Sequence, residues 1–288
     1  MKFLSNKQKA KLKSQLTPSN IVGNIVVWVS AFLCLFPFYW ALTSSFKTER
    51  AVFSIPPQWI PEEPTIEAYV NLYRRTNLGQ WTFNSFFVSI MTVLLICVFA
   101  CMAGYAFAHI PFKGKKLVFS VCIAMMLLPK YVMLIPLYRL VDALGWMDTY
   151  QGLIIPEVAS ALPFGIFMVR QFMIGIPKEI FESARIDGCG QIRIFASMAL
   201  PLSKPAIASL GILMFVRSWN DYMWQLIVVS SDSMRTLPLG LASLQSETVK
   251  IYSQILAGAM VSAVPLILVF ILFQKHFVRG VANGAVKG

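Results

Sequence analysis

The sequence predicts an all-α, polytopic membrane protein with six transmembrane helices and a polar cytoplasmic elbow. Three observations carry that reading: the composition, the long apolar runs and a one-sided distribution of basic residues. Hydrophobic residues make up 57% of the 288-residue chain and charged residues 13%, with a mean hydropathy of +0.66. That leaves too little polar surface to clothe a soluble domain. Six runs suit a hydrocarbon layer of about 30 Å, which takes roughly 20 helical residues to cross. They lie near 21–46, 83–108, 117–140, 152–172, 206–229 and 253–273. No period-2 alternation between turns recurs, so a β-barrel is not expected.

Orientation follows from Lys and Arg. Residues 1–20 carry five lysines, the connector 109–116 three, the elbow region five basic residues and the C-terminal end three, together 16 of the 25 in the chain. These four segments alternate correctly with six spans, and the positive-inside rule places them in the cytoplasm, with both termini. The net charge of +12 is scattered over loops of one membrane face. It is explained by topology and attraction to anionic lipid rather than by nucleic acid. The first apolar run is too long for a secretory signal and lacks a small-residue cleavage site.

Taken in order, 1–20 is a polar, basic cytoplasmic segment, and 21–82 combines the first transmembrane helix with an external loop. Prolines 56, 57, 61 and 64 extend that loop. Trp59, Tyr69, Tyr73 and Trp81 suggest an interfacial aromatic lid rather than the alternative, a sugar site, and a short helix follows Thr65 as its cap. The third run is interrupted by Pro129-Lys130 and Pro136, the fourth by Pro156 and Pro163. Proline frees backbone carbonyls that the bundle or water must satisfy, so kinks are expected there. Cys34, Cys97, Cys101, Cys122 and Cys189 all avoid the external loops and read as small packing residues, without a disulfide framework or a metal site.

The elbow is the most informative segment. Pro177 suits a helix first turn, Glu179 and Glu182 complement its positive end, and Gly188 suits a left-handed stop. A second short helix is expected over 191–199, ahead of Leu200-Pro201. Ile180, Phe181 and Ala184 share one face. That apolar face must be covered by the bilayer surface, by the protein's own bundle or by a second protein.

Four ionisable residues lie in or near the spans: Lys130, Glu157, Arg217 and Asp221. Each costs about 2.5–3.5 kcal/mol at membrane depth and is expected to face protein or water. Lys130 and Glu157, in the outer halves of adjacent spans, are placed to pair. Arg217 and Asp221, one helical turn apart, are placed to pair locally.

Glu182-Ser183-Ala184, Asp187-Gly188 and Leu200-Pro201 together resemble the conserved cytoplasmic loop of bacterial ABC importer permeases, with Ser183 where the motif has its first alanine. The segment 135–138, Leu144-Gly145, Thr149, Phe172, Trp219-Asn220 and the Gly-rich tail are similar to the carbohydrate-uptake, maltose-transporter type of this family. The resemblance implies an importer transmembrane domain over 83–275, a coupling-helix loop over 173–205 and a cytoplasmic tail over 276–288. Glu182, Ser183, Ala184, Asp187, Gly188, Leu200 and Pro201 would couple to the ATPase, Glu182 as charged anchor and Ala184 and Gly188 by allowing close approach.

It further implies a second permease, two ATP-binding subunits, an external solute-binding protein and a carbohydrate solute. Lys130, Glu157, Arg217, Trp219, Asn220 and Asp221 are then either helix-orienting residues or a polar wall of the solute pathway. Asp232, Arg235 and Thr236, in the loop 230–252, would reach the binding protein, unless that loop is an ordinary connection. No Gly-x-x-x-x-Gly-Lys-[Ser/Thr] loop occurs, so no cofactor is expected on this chain, and ATP and Mg belong on the partner ATPase. No catalytic constellation is apparent, and the chain is not expected to be an enzyme. A proton-coupled or facilitative secondary carrier is the alternative.

Overall fold

The structure, a computed structural model, describes residues 18–245 and 250–285, with side chains over 22–245 and 250–273. Expectations for the N-terminal segment up to residue 17 and for the last residues of the tail, 286–288, lie outside the described residues. Every regular element among the described residues is helical. In chain order they are α1 (Pro18–Ser45), α2 (Glu49–Val52), α3 (Glu67–Arg75), α4 (Leu78–His109), α5 (Lys115–Met125), α6 (Leu134–Ala143), α7 (Tyr150–Ile174), α8 (Lys178–Ile186), α9 (Gln191–Leu202), α10 (Lys204–Trp219), α11 (Met223–Val228), a 3-10 turn over Asp232–Met234, α12 (Leu237–Gln245) and α13 (Tyr252–Ala285).

The chain divides into two compact units, Met1–Leu72 with Ile251–Met260, and Tyr73–Lys250 with Val261–Gly288. In the first, α1 exposes large apolar side chains such as Trp28 and Phe32. Beyond it, Lys47 is buried, donating to Ser44 Oγ and the Gln58 carbonyl with its ammonium over the Trp40 ring. Thr65 caps the next helix as expected, its Oγ1 accepting from the Glu67 N–H at 3.1 Å. Glu49 receives the Tyr252 and Ser253 N–H groups at the start of α13, both at 2.9 Å, where a carboxylate suits the positive helix end. Trp59 packs on Phe36 and Trp40.

The second unit is built on α4 and α7. Gly104 lets them approach: a Cβ there would lie 2.9 Å from Val169 Cγ1, so a side chain would push the helices apart. Trp81, expected in the aromatic lid, is instead 2% exposed within this unit, at the start of α4.

Four helices are long and apolar enough to cross a membrane, Val22–Ser45, Leu78–His109, Tyr150–Ile174 and Tyr252–Phe273, and a fifth crossing arises if α9 and α10, bent by 72°, count as one. The third run is not a continuous helix. It breaks between α5 and α6, around Pro129-Lys130. Pro136 does not add to that break, because it sits in the first turn of α6, where its N–H is not needed. Pro156 and Pro163 lie inside continuous α7. Pro156 removes the donor to the Gly152 carbonyl, and the buried Trp224 indole supplies one instead at 3.0 Å.

Candidate functional site: a charged cavity between two helix breaks

Two helix breaks converge on α7. The break between α5 and α6 carries Lys130, and the break between α10 and α11 carries Asp221. Lys130 Nζ and Asp221 Oδ1 pair at 3.0 Å across the gap. Beside them is a cavity of about 570 Å³, lined by both residues, by Glu157, Ser160 and Arg217, and by apolar side chains including Met133, Leu137, Phe164 and Trp224. Ala159, whose carbonyl loses its helical donor to Pro163, also lines it.

The charges do not pair as the sequence suggests. Asp221 lies beyond the end of α10, so the one-turn spacing that would join it to Arg217 does not exist. Arg217 donates instead to Ser160 Oγ at 3.1 Å. Glu157 is 5% exposed and takes a hydrogen bond from Ser218 Oγ at 2.9 Å on one oxygen, while its other oxygen, Oε1, has no protein partner among the described residues. The cavity thus offers two cations, two carboxylates, a hydroxyl and an apolar wall. That set can hydrogen-bond a hydroxylated solute while packing its C–H surface.

Two residues expected beside this group lie elsewhere. Trp219 is buried, its ring against Phe86 and Phe215 and its N–H on the Ser262 carbonyl. Asn220 is exposed and folds back on the Val216 carbonyl. Both are packing or capping groups, outside the cavity lining.

At the elbow, α8 stops in a Schellman motif. The Cys189 N–H reaches the Ala184 carbonyl at 2.9 Å and the Gly188 N–H the Arg185 carbonyl at 3.0 Å. Gly188 has φ +79°, and a Cβ there would meet nothing within 4 Å. Its requirement is therefore the left-handed backbone, not room for a neighbour within this chain. Of the three possible covers for the apolar face, the protein's own bundle takes Phe181 and Ala184, whereas Ile180 stays exposed. Phe181 and Ala184 are each 1% exposed, and the Phe181 ring lies 4.1 Å from the His109 ring at the end of α4, tilted by 39°. Ala184 thus gives close approach to its own bundle rather than to an outside partner.

Glu182, Ser183, Asp187, Gly188 and Pro201 are exposed, Leu200 is half-buried, and Ile186 and Ile192 project at 86% and 84% exposure. The two isoleucines were not singled out by sequence. Exposed apolar residues at the ends of two short helices were the available signal.

The loop from 230 to 236 is tightly held. Asn84 is fully buried, donates to the Ser233 and Arg235 carbonyls at 2.8 Å each, and accepts from Tyr150 at 2.7 Å and Gln80 at 2.9 Å. Asp148 accepts the Ser230 and Ser231 N–H groups at 3.0 and 3.1 Å. Burial pushes its pKa up, but the hydrogen bonds from these serines prevail and hold it below the usual carboxylate value. Asp232 and Arg235 pair at 2.9 Å. Thr236, expected at the surface, is fully buried and donates to Gln225, so it is not available to a docked protein here. Asn84 was legible as a lone amide inside an apolar run, and Asp148 was not.

Residues 96–283 match the family of binding-protein-dependent transport system inner membrane components. The chain belongs to that family. It is 36% identical over 261 residues to the arabinooligosaccharides transport system permease protein of Halalkalibacterium halodurans, covering 90% of this chain and 93% of that one. It is 31% identical over 271 residues to the trehalose/maltose transport system permease protein of Thermococcus litoralis, covering 93% and 96%. The fold matches a bacterial ABC transporter involved in import of the acidic polysaccharide alginate, with a TM-score of 0.80 at 21% identity over 96% of this chain and 100% of that one. The permease is thus an inner-membrane component whose fold recurs in ABC importers.

Proposed function

We propose that the chain is the permease subunit of an ATP-driven carbohydrate importer and translocates an oligosaccharide with a second permease. In this reading six segments cross the membrane, the third being α5, the break and α6 together, and both termini and the elbow face the cytoplasm. ATP and Mg sit on two partner ATPase subunits. Their closure moves α8, and because Phe181 and Ala184 are locked onto the end of α4, the motion passes directly into the α4–α7 core.

The observation that carries the reading is the division of the elbow into two faces. One face is buried in the bundle, whereas Glu182, Ile186 and Ile192 on the other are exposed, and Glu182 has no hydrogen-bond or ion-pair partner among the described residues. Exposed isoleucines beside an unpaired carboxylate fit a cleft on another protein better than water.

The cavity at Lys130, Glu157, Arg217 and Asp221 is read as this subunit's part of the solute pathway. Lys130–Asp221 bridges two breaks, so passage that widens the cavity must part that pair. A secondary carrier would leave the elbow without a role, and membership of a binding-protein-dependent family disfavours it.

Tagged chain purified from its native membrane should retain a Walker-motif ATPase and a second permease, and should import carbohydrate into liposomes only with ATP and a binding protein. Transport by the chain alone without ATP would overturn the reading.

A further inference from the structure

A second pocket, of about 350 Å³, opens at the start of α4 and shares no lining residue with the charged cavity. Arg74, Arg75, Asn77, Asp232, Arg235 and Ser243 are among the residues that line it. Three guanidinium groups face one carboxylate. Asp232 is already engaged by Arg235 at 2.9 Å and by Asn77. Arg74 and Arg75 are exposed and have no carboxylate partner among the described residues. Two positive charges are therefore left over.

The placement is against the trend of the chain. Sixteen of the 25 basic residues lie in the four segments that the proposed orientation assigns to the cytoplasm, leaving nine, and three of these nine line this one pocket, which the same orientation puts outside. External arginines work against the topology signal, so a cluster of them calls for another cause. The pocket is also preorganised. Arg235 is held by Asp232 and reaches Ser243 Oγ at 3.4 Å. The backbone beneath is pinned by Asn84, and the Trp81 indole donates to the Asp232 carbonyl at 3.2 Å.

We propose that this pocket is a docking socket for acidic side chains of the external binding protein. The inference rests on the binding-protein-dependent importer reading and adds the chemistry of the contact: a carboxylate entering the Arg74–Arg75 fork, where bidentate geometry is available. Placed at an exposed rim, such charges act mainly by steering encounter and fixing register.

The test uses the intact importer, reconstituted with the binding protein that co-purifies with it and carrying Arg74→Glu and Arg75→Glu together. ATPase activity is followed against binding-protein concentration at low and high salt. The half-stimulating concentration should rise by about tenfold or more at low salt, with basal and maximal rates unchanged. Wild type should weaken as salt is added while the variant changes little, and Arg74→Lys with Arg75→Lys should stay near wild type in steering.

An unchanged half-stimulating concentration would overturn the socket. So would a defect seen only with an acidic solute bound, which would assign the site to the solute's carboxylate. A defect that vanishes when anionic lipid is removed would assign it to lipid headgroups and overturn it equally. If no binding protein stimulates even the wild-type complex, the importer reading itself fails, a result distinct from failure of the socket.

Discussion

The loop over 230–236 and the elbow over 173–205 are both polar stretches between apolar helices, yet they dispose of their polar groups in opposite ways. In the loop, carbonyls go to Asn84, N–H groups to Asp148, and Thr236 to Gln225. In the elbow, helix ends are satisfied by backbone closure at Gly188, and the side chains of Glu182 and Asp187 are left to solvent. A polar sequence between spans therefore has two meanings. One is internal scaffolding, in which each buried polar group has its partner and the segment is stiff. The other is a surface kept available, its ends closed by backbone and its inner face packed on the bundle. The Arg74–Arg75 pocket borrows from both, with exposed charges mounted on a scaffolded floor.

The largest expected effect tests the elbow. Gly188→Val places a β-branched residue at φ +79°, a conformation that costs about 1–2 kcal/mol for any residue with a Cβ. Loss of the turn should reduce uptake and transport-coupled ATPase activity to background while membrane abundance stays at the wild-type level. Normal uptake would mean that the elbow's shape does not matter for coupling.

The next effect tests the scaffold. Asn84→Leu strands two carbonyls and the Tyr150 hydroxyl, and should cost about 3 kcal/mol. Hydrogen exchange over 230–237 should rise steeply, whereas exchange over 178–190 should not move. Equal loosening of both regions would erase the distinction drawn between them.

A smaller effect is expected in the cavity. Lys130→Met leaves Asp221, only 7% exposed at its side chain, without its cation, and the double change with Asp221→Asn should recover part of the loss. Because Lys130 is 39% exposed, a coupling of about 1 kcal/mol in thermal unfolding is expected. Additive losses would show that the pair does not join the two helix breaks.

The smallest effect is a pH dependence. The Asp148 carboxyl titrates below its unfolded value of about 3.9, so its contribution is full above that value and is lost as pH falls through the lower folded value. Acid unfolding should therefore show an extra loss below about pH 4 that Asp148→Asn removes. Identical acid profiles would mean that the serine N–H contacts contribute nothing through the charge.

Much of the fold was legible because membrane burial writes itself into composition. The apolar runs locate α1, α4, α7 and α13, the Thr65 cap reads correctly, and Gly188 marks the end of α8. Charge partners were not legible. Lys130 and Asp221 are 91 residues apart, and Glu157 and Ser218 are 61 apart. Local spacing proposes Arg217 with Asp221, and it fails because the helix between them ends.

Local sequence thus specifies which segments prefer lipid and which end in turns. These preferences act through contacts a few residues apart or through each segment's own transfer to a membrane. Which face of α8 is buried, which carboxylate keeps an open oxygen and which loop is rigid depend on how helix breaks and ends come together in space. Those choices are made by packing between distant segments, where the cost of an unpaired buried group outweighs any local preference.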